Sequence, residues 1–357
     1  MKTYKIGIMG GDGTGPEVTV EAVKVMDAAC AKFGFKVEKT DYDFGGERYK
    51  RTGEILPNGA IDELKKQDAI LLGAIGHPDV KPGILEKGLL LGMRFALDQY
   101  INLRPVTLLA GIPGPLRDKG PADIDFVCIR ENTEGEYAGV GGRVHRGMES
   151  EVAVQTSVFT RDGVERVLRY GFDLAARRPR HELVSATKSN ALQYSMVFWD
   201  EVFKNLQAEY PQVACRQYHV DALAARMITA PETLDVVVAS NLFGDILTDL
   251  GGALQGSLGI PPSGNINPER RYPSLFEPVH GSAPDIAGKG IANPIAATWA
   301  ASMMLEHLGH TDAAHLLLAA INAVTAAGRV LTPDLGGTST TRDVGDAIRQ
   351  QVRVLAG

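Results

Sequence analysis

The sequence predicts an α/β protein with two domains, built on a mostly parallel sheet flanked by helices. Three observations predict it. Strand-like and helix-like segments alternate along the chain. One of the strand-like segments, Asp235-Val236-Val237-Val238-Ala239, is a short apolar β-branched run of the kind buried on both faces of a parallel sheet. The chain is also long, 357 residues with 44% apolar content and 40 glycines, enough for more than one core.

Taken in order, the strand-like runs are Lys5 to Met9, Lys36 to Lys39, Ala69 to Leu72, Phe126 to Ile129, Val152 to Phe159, Leu183 to Ala186, Ala214 to Val220 and Asp235 to Ala239. Between them, Pro16 to Lys32 reads as a helix because proline at its opening loses no needed N–H and Val20, Val23, Met26, Ala28 and Ala29 supply its apolar positions. Gly163 to Ala176, Leu192 to Gln207, Ala292 to His307 and Ala313 to Ala327 read the same way, the last being rich in Ala and Leu with one core-facing side. The Gly/Pro-dense stretches Gly111 to Pro121 and Gly256 to Pro273 are where the chain is expected to cross between domains.

Composition narrows the partners. A net charge of −6, with no Lys/Arg cluster tracking one face, carries no footprint for nucleic acid and points to small molecules. Cys30, Cys128 and Cys215 are odd in number and far apart, which fits neither a disulfide framework nor a metal-ligand spacing, so they read as buried thiols. No apolar run reaches membrane-spanning length and the first residues lead straight into a strand, so a cytoplasmic protein with no membrane partner is expected.

Two motifs invite over-reading. Gly10-Gly11-Asp12-Gly13-Thr14-Gly15-Pro16 follows a strand and opens a helix, but it lacks the Lys-Ser/Thr of a phosphate loop and the spacing of a dinucleotide fingerprint, so a typical Rossmann fold is not expected. Asp41-Tyr42-Asp43 resembles a phosphatase nucleophile pair, but the Phe-Gly-Gly that follows reads as a turn.

Ser240 to Asp249 holds the chemistry that residue types alone suggest. If a helix begins near Asn241, Asp245 and Asp249 project from one face one turn apart, at the carboxyl end of a parallel strand where open α/β sheets hold ligands. Like charges at that spacing repel. A hard divalent cation, Mg²⁺ or Mn²⁺, would turn the repulsion into binding, while the alternative is an Asp-rich first turn favoured by the helix dipole. Arg94, Arg104 and Arg130 are candidates for bidentate recognition of a substrate with two or more carboxylates, although single arginines are more often ion-pair residues. Tyr137 and Lys188, both near strand ends, are candidate acid and base if burial or cations move their pKa values; the alternative for Lys188 is an ordinary solvent-facing lysine.

Taken together, GGDGTGPEV, NLRPV, RENTEGEY, TKSN, SNLFGDILTDLGG and FEPVHGSAPDIAGKGIANPIA, in this order and spacing, resemble the β-decarboxylating dehydrogenases of (2R)-malate-type acids. That family includes isopropylmalate, isocitrate, homoisocitrate, tartrate and D-malate dehydrogenases, and the resemblance spans the whole chain. It implies the isopropylmalate-dehydrogenase-like two-domain fold: a discontinuous cofactor-binding domain from 1–101 and 257–357, and a smaller domain, 102–256, with a dimerisation arm and the substrate and metal residues. It further implies that Arg94, Arg104 and Arg130 clamp substrate carboxylates, that Asp221, Asp245 and Asp249 hold Mg²⁺ or Mn²⁺, that Lys188 takes the hydroxyl proton as hydride leaves, and that Tyr137 protonates the enol after CO₂ departs. Lys188 and Asp221 would come from the second subunit of a homodimer, so that active sites are shared.

The resemblance also implies the cofactor. His280, Gly281, Ser282, Ala283, Asp285, Ile286 and Asn293 would bind the dinucleotide, with Asn190 and Glu277 near the nicotinamide ribose. Asp285 would accept ribose hydroxyls and repel a 2′-phosphate, which predicts NAD, whereas NADP-using relatives carry Lys-Tyr in place of the Asp-Ile pair. K⁺ is a further candidate activator. From Arg130 through Lys289 the motifs are most similar to tartrate and D-malate dehydrogenases, while Ile84 to Arg94, with Leu90 and Leu91, is similar to the substrate loop of some isopropylmalate dehydrogenases. Apolar contacts seldom exclude a smaller substrate, so a D-malate or tartrate type of enzyme is expected, with 3-isopropylmalate as the alternative. A Mg²⁺-dependent phosphoryl-transfer enzyme is the reading from another class; the chain lacks a phosphate-cradling lysine loop for it.

Overall fold

The structure, a computed structural model, describes residues 2–355. Twelve strands run in chain order: β1 Thr3–Gly11, β2 Lys36–Asp41, β3 Ala69–Ala74, β4 Ile101–Thr107, β5 Asp125–Glu131, β6 Gly135–Val144, β7 Val152–Val158, β8 Glu182–Thr187, β9 Ala214–His219, β10 Val236–Ala239, β11 Pro262–Ile266 and β12 Ser274–Pro278. The chain divides into two compact units, the first made of Met1–Gln99, Thr107–Pro121 and Gly252–Gly357, the second of Tyr100–Val106 and Ala122–Gly251.

In the first unit the strand order is β2-β1-β3-β12-β11, parallel except for the β11–β12 pair. Helices Gly15–Phe33, Ile295–His307, Thr311–Ala327 and Thr341–Leu355 pack on one another beside these strands. Every residue from Ile295 to Leu305 is buried, because that segment is apolar or small around its whole circumference and so sits at the centre of the layer. The expected apolar face of the first helix holds in part: Met26 and Ala29 are buried, Val23 and Ala28 are half-buried and Val20 is exposed, while Val18, Ala22 and Val25 complete the core-facing side.

Thr107–Pro121 stays with the first unit, and the chain passes to the second at its end, between Pro121 and Ala122; it returns between Gly251 and Gly252, ahead of the second expected stretch. Ala110 donates its N–H to Asn322 Oδ1 (3.3 Å), and Gly111, at φ +81°, lies so close to the Thr325 and Ala326 backbone that no side chain fits. Gly256 to Pro273 is not plain linker either, since it contains β11.

In the second unit the order is β4-β5-β10-β8-β9, with β5, β10, β8 and β9 mutually parallel. Helix Arg161–Arg177 starts where Thr160 Oγ1 accepts the Gly163 N–H (3.0 Å), and Trp199 donates to Ser185 Oγ (2.9 Å) in a core shared with Phe126, Phe172 and Phe203. Strands β6 and β7 form a separate antiparallel ribbon whose Val140, Val144, Val152 and Val154, with Met148 at the turn, are all exposed. β6 escapes a periodicity search because glycine occupies four of its ten positions.

Two smaller expectations also meet the structure. Cys30 and Cys128 are buried, whereas Cys215, on the edge strand β9, is only half-buried. Asp43, in the lure Asp41-Tyr42-Asp43, is ion-paired with Arg48 and Arg51 ahead of the short helix Gly46–Thr52, as a turn residue would be. Among the described residues no helix is long and apolar enough to cross a membrane.

Candidate active site

Strand β10 ends at Ala239, and after Ser240 a helix runs Asn241–Leu254, so the expected strand–helix junction is present with Asp245 and Asp249 on successive turns. What their residue types did not show is what compensates the repulsion. Arg130, at the end of the neighbouring strand β5, is 4% exposed at its side chain and donates to Asn241 Oδ1 from both Nε (3.0 Å) and Nη2 (2.7 Å). Its Nη1 is hydrogen-bonded and ion-paired to Asp245. Tyr137, on β6, donates its hydroxyl to the other Asp245 oxygen (2.7 Å), and the guanidinium lies 5.0 Å from the Tyr137 ring centre. Burial, reinforced by the Asp245 carboxylate, pushes the Tyr137 hydroxyl above its ordinary pKa, so it holds its proton at neutral pH.

Gly244 makes this packing possible. A Cβ there would stand 2.6 Å from both Cβ and Cγ of Arg130. The turn from β5 into β6 is fixed by Glu131, a buried carboxylate that accepts from Thr133 N (2.7 Å), Thr133 Oγ1 (2.9 Å) and Glu134 N (2.8 Å). Burial pushes the Glu131 carboxyl up, against those lowering hydrogen bonds.

Arg104, on β4, donates from Nε to Asn102 Oδ1 (2.8 Å) and from Nη1 to Thr248 Oγ1 (2.6 Å), with Asp249 3.8 Å away. Two of the three predicted arginines therefore converge on one helix. Arg94 lies in the first unit, half-buried on the short helix Gly92–Ala96, beyond the π-helical turn Glu86–Leu91 that carries Leu90 and Leu91.

Lys188, just past β8, donates to Asp221 Oδ1 (2.7 Å) in the first turn of helix Val220–Thr229. That hydrogen bond holds the Asp221 carboxyl below its ordinary pKa. The pair stands apart from the Arg130–Asp245–Tyr137 cluster, and among the described residues no group of three acidic, His or Cys side chains is arranged to hold a metal. The donors themselves suit a hard cation: all three are carboxylates, and Asp249 and Asp221 are 78% and 69% exposed at the side chain, able to turn toward a ligand. Within one chain they supply Asp245 and Asp249 together and Asp221 separately.

The segment expected to hold the dinucleotide lies in the first unit. Ser282 and Pro284 line a cavity of about 210 Å³ together with Gly76, His77, Val80 and Lys81. His280 bonds the Gly281 carbonyl oxygen through Nδ1 (2.9 Å), its buried Nε2 has no hydrogen-bond partner, and burial lowers its pKa. Open space beside Gly281 and an exposed Asp285 complete a segment able to accept a polar ligand. Ala283 adopts φ +41°, and Ile286 is half-buried. Asn293 is already used by the protein, donating to Asp334 Oδ2 (3.0 Å) and accepting the Ile295 N–H (3.0 Å), while Glu277 accepts from Asn265 Nδ2 (2.7 Å). Asn190, in the second unit, is exposed, and its carbonyl oxygen accepts from Gln193 Nε2 (3.2 Å).

Comparison with known proteins decides the family. The pattern described as isocitrate/isopropylmalate dehydrogenase matches residues 5–348. The chain belongs to that family. It is 52% identical to a probable tartrate dehydrogenase/decarboxylase of Agrobacterium vitis over 98% of this chain and 96% of that one. It is also 52% identical to the decarboxylating D-malate dehydrogenase of Escherichia coli over 98% of each, and 49% identical to the 3-isopropylmalate dehydrogenase of Thermobifida fusca over 98% of each. The crystal structure of isocitrate dehydrogenase from Methylococcus capsulatus superposes with a TM-score of 0.88 at 36% identity, covering 98% of this chain and 99% of that one.

The chain is therefore a β-decarboxylating dehydrogenase, an oxidoreductase acting on a CH–OH donor. Membership gives a physical sense to residues that sequence reasoning passed over. Glu131, Asn241 and Thr248 stand inside the quoted motifs, yet nothing in their types distinguishes residues that hold the site from residues that would carry chemistry. Their signal was only that polar residues sit where a strand end and a helix start should bury them.

Proposed function

We propose that this dehydrogenase oxidises and decarboxylates a (2R)-malate-type 2-hydroxy dicarboxylic acid of the D-malate or tartrate kind, with NAD as hydride acceptor and Mg²⁺ or Mn²⁺ as its cation. The observation that carries this reading is the Arg130–Asp245–Tyr137 cluster. It joins a buried guanidinium suited to a carboxylate, a carboxylate suited to a cation and a protonated hydroxyl. When bound, the cation supplies Lewis acidity at the 2-oxygen and NAD accepts the hydride. Arg104 and Arg130 bind and orient the two carboxylates, with Arg94 assigned to the same task by resemblance. Asp245, Asp249 and Asp221 hold the cation. Lys188 receives the 2-hydroxyl proton, and Tyr137 delivers a proton to the carbon from which CO₂ has left.

One feature supports a small substrate. Leu90 spends part of its surface against the core cluster that contains Leu89 and Met93, so it offers less apolar wall than its place in the loop suggested. The half-buried Leu91 favours the second reading, 3-isopropylmalate.

The separation of Lys188 and Asp221 from Asp245 supports a homodimer in which each chain completes its partner's site, with the exposed apolar ribbon β6–β7 as one contact surface. The exposed Asp285 supports NAD over NADP. The test is NADH formation with Mn²⁺ or Mg²⁺, with and without K⁺, comparing kcat/KM for D-malate, L-tartrate and 3-isopropylmalate. A tenfold preference for isopropylmalate would replace the first reading by the second, and a lower KM for NADP than for NAD would overturn the cofactor assignment.

A further inference from the structure

The glycine loop Gly10–Gly15 fits no phosphate-binding pattern, yet it is among the most constrained segments of the first unit. Asp12 is 3% exposed. One of its carboxylate oxygens accepts the Gly46 N–H (2.7 Å) and the other accepts the Gly76 N–H (3.0 Å). Two residues on, Thr14 donates its N–H to the Ser282 carbonyl oxygen (2.8 Å). Gly13, at φ +56°, lies against that same carbonyl so closely that a Cβ would overlap it. Gly76 and Ser282 both line the 210 Å³ cavity and stand side by side, a Cβ on Gly76 falling 3.1 Å from Ser282 Oγ. The loop thus holds two adjoining lining segments, Gly76 through the Asp12 side chain and Ser282 through the Thr14 backbone.

Asp12 reaches further through Gly46, which opens the helix carrying Glu47. Glu47 bonds His77 Nε2 (2.7 Å), while Asp79 donates its N–H to His77 Nδ1 (3.1 Å), so the ring carries its proton on Nε2 and donates it to Glu47. The wall from Gly76 to Asp79 is therefore anchored twice, at its first N–H by Asp12 and at its imidazole by the helix Asp12 caps from the side.

We infer that Asp12 is a positioning residue for the cofactor: the loop Gly10–Gly15 holds the adjoining Gly76 and Ser282 segments in register at the cavity, and its glycines serve close backbone approach to Ser282 rather than to a phosphate. This rests on the reading that the Ser282 segment holds the dinucleotide. It also explains why the loop stands before a helix without the fingerprint: its partner is another loop of the same unit.

The test begins with the unmodified enzyme. Hydrogen–deuterium exchange with and without NADH should show protection in 10–15, 76–86 and 282–286 together; protection confined to 282–286 would overturn the inference. Asp12→Asn keeps the shape but turns an N–H₂ toward one of the two glycine N–H groups. It should weaken NADH binding, read by fluorescence titration, roughly tenfold, the loss of about one charge-assisted hydrogen bond. KM for NAD should rise with it, while kcat at saturation and KM for the hydroxy acid stay within about twofold, a split that general destabilisation does not produce. Unchanged NADH affinity in folded D12N would overturn the proposal. Asp285→Ala separates the two readings: if it leaves NADH binding intact, the dinucleotide is not on this segment. If D285A weakens binding and D12N does not, the segment holds the cofactor and Asp12 does not position it.

Discussion

Replacing Gly244 by alanine sets two effects of known size against each other. Alanine in a helix interior is favoured over glycine by about 0.8–1 kcal/mol, and Gly244 is the fourth residue of helix Asn241–Leu254. Against this, the new Cβ would lie 2.6 Å from Arg130 Cβ and Cγ and 3.1 Å from Arg130 Cα. Arg130 has no room to yield: its side chain is 4% exposed, and β5 is paired residue by residue with β10, the strand that leads into this helix. Overpacking of this kind costs about 1–3 kcal/mol, which exceeds the propensity gain over most of its range. If the guanidinium moves to relieve it, at least one charged hydrogen bond to Asn241 or Asp245 is lost, at about 1.5–3 kcal/mol. Gly244→Ala should therefore destabilise the second unit by about 1–2 kcal/mol in urea unfolding and raise KM for the hydroxy acid on the order of tenfold or more, with NADH affinity unchanged. A variant that is more stable, with kcat/KM intact, would refute the claim that glycine is there to seat Arg130.

Three further outcomes follow from the same coordinates. Tyr137→Phe keeps the ring under Arg130 but removes the proton donor, so kcat should fall about 10²–10⁴-fold with KM for NAD little changed. His307, half-buried against Phe276 with Nε2 3.0 Å from Ser274 Oγ, is pushed down to about 4 by its desolvation. The unfolded chain takes up that proton first as pH falls, so stability is fully present above about pH 6.5 and is lost on the way down to pH 4, by roughly 3 kcal/mol; a His307→Gln variant should show a correspondingly shallower acid limb in denaturant midpoints. The thiols of Cys30 and Cys128 are pushed up to about 12 and that of Cys215 to about 11 by burial, so a disulfide exchange reagent at pH 7.5 should modify the folded enzyme slowly and the urea-unfolded enzyme at all three positions.

How far the site could be read from the chain depended on whether a residue's role is local. The helix after β10 and the spacing of Asp245 and Asp249 are local properties of Ser240 to Asp249, and they were legible. So was the exclusion of a phosphate loop at Gly10, since it needs only a missing lysine. Val20 was misread because the face a helix buries is set by the neighbours it packs against, which spacing alone does not give. β6 was missed because glycine-rich ribbon has no periodic side chains, and β11 because Gly and Pro around it read as linker. Asn241 and Asp12 act through groups far away in sequence, and although Glu131 bonds its own turn, nothing local marks a carboxylate as one that will be buried with donors on both oxygens.

The repulsion between Asp245 and Asp249 shows the limit most clearly. Read along the chain, two carboxylates one turn apart call for a cation. Strand order supplies another answer at the same time: with β4, β5 and β10 as neighbours, Arg104 and Arg130 arrive from adjacent strands at the first turns of the helix that follows β10. Each arginine then has more than one partner on that helix, Asn241 and Asp245 for Arg130, Thr248 and Asp249 for Arg104. A group held by several neutral or like-sized partners is positioned without being neutralised by any single one, so a guanidinium can keep its Asn or Thr bond while its charge turns to a substrate carboxylate. The fixed partners come from topology and the charges come from sequence, and the proposed clamp needs both.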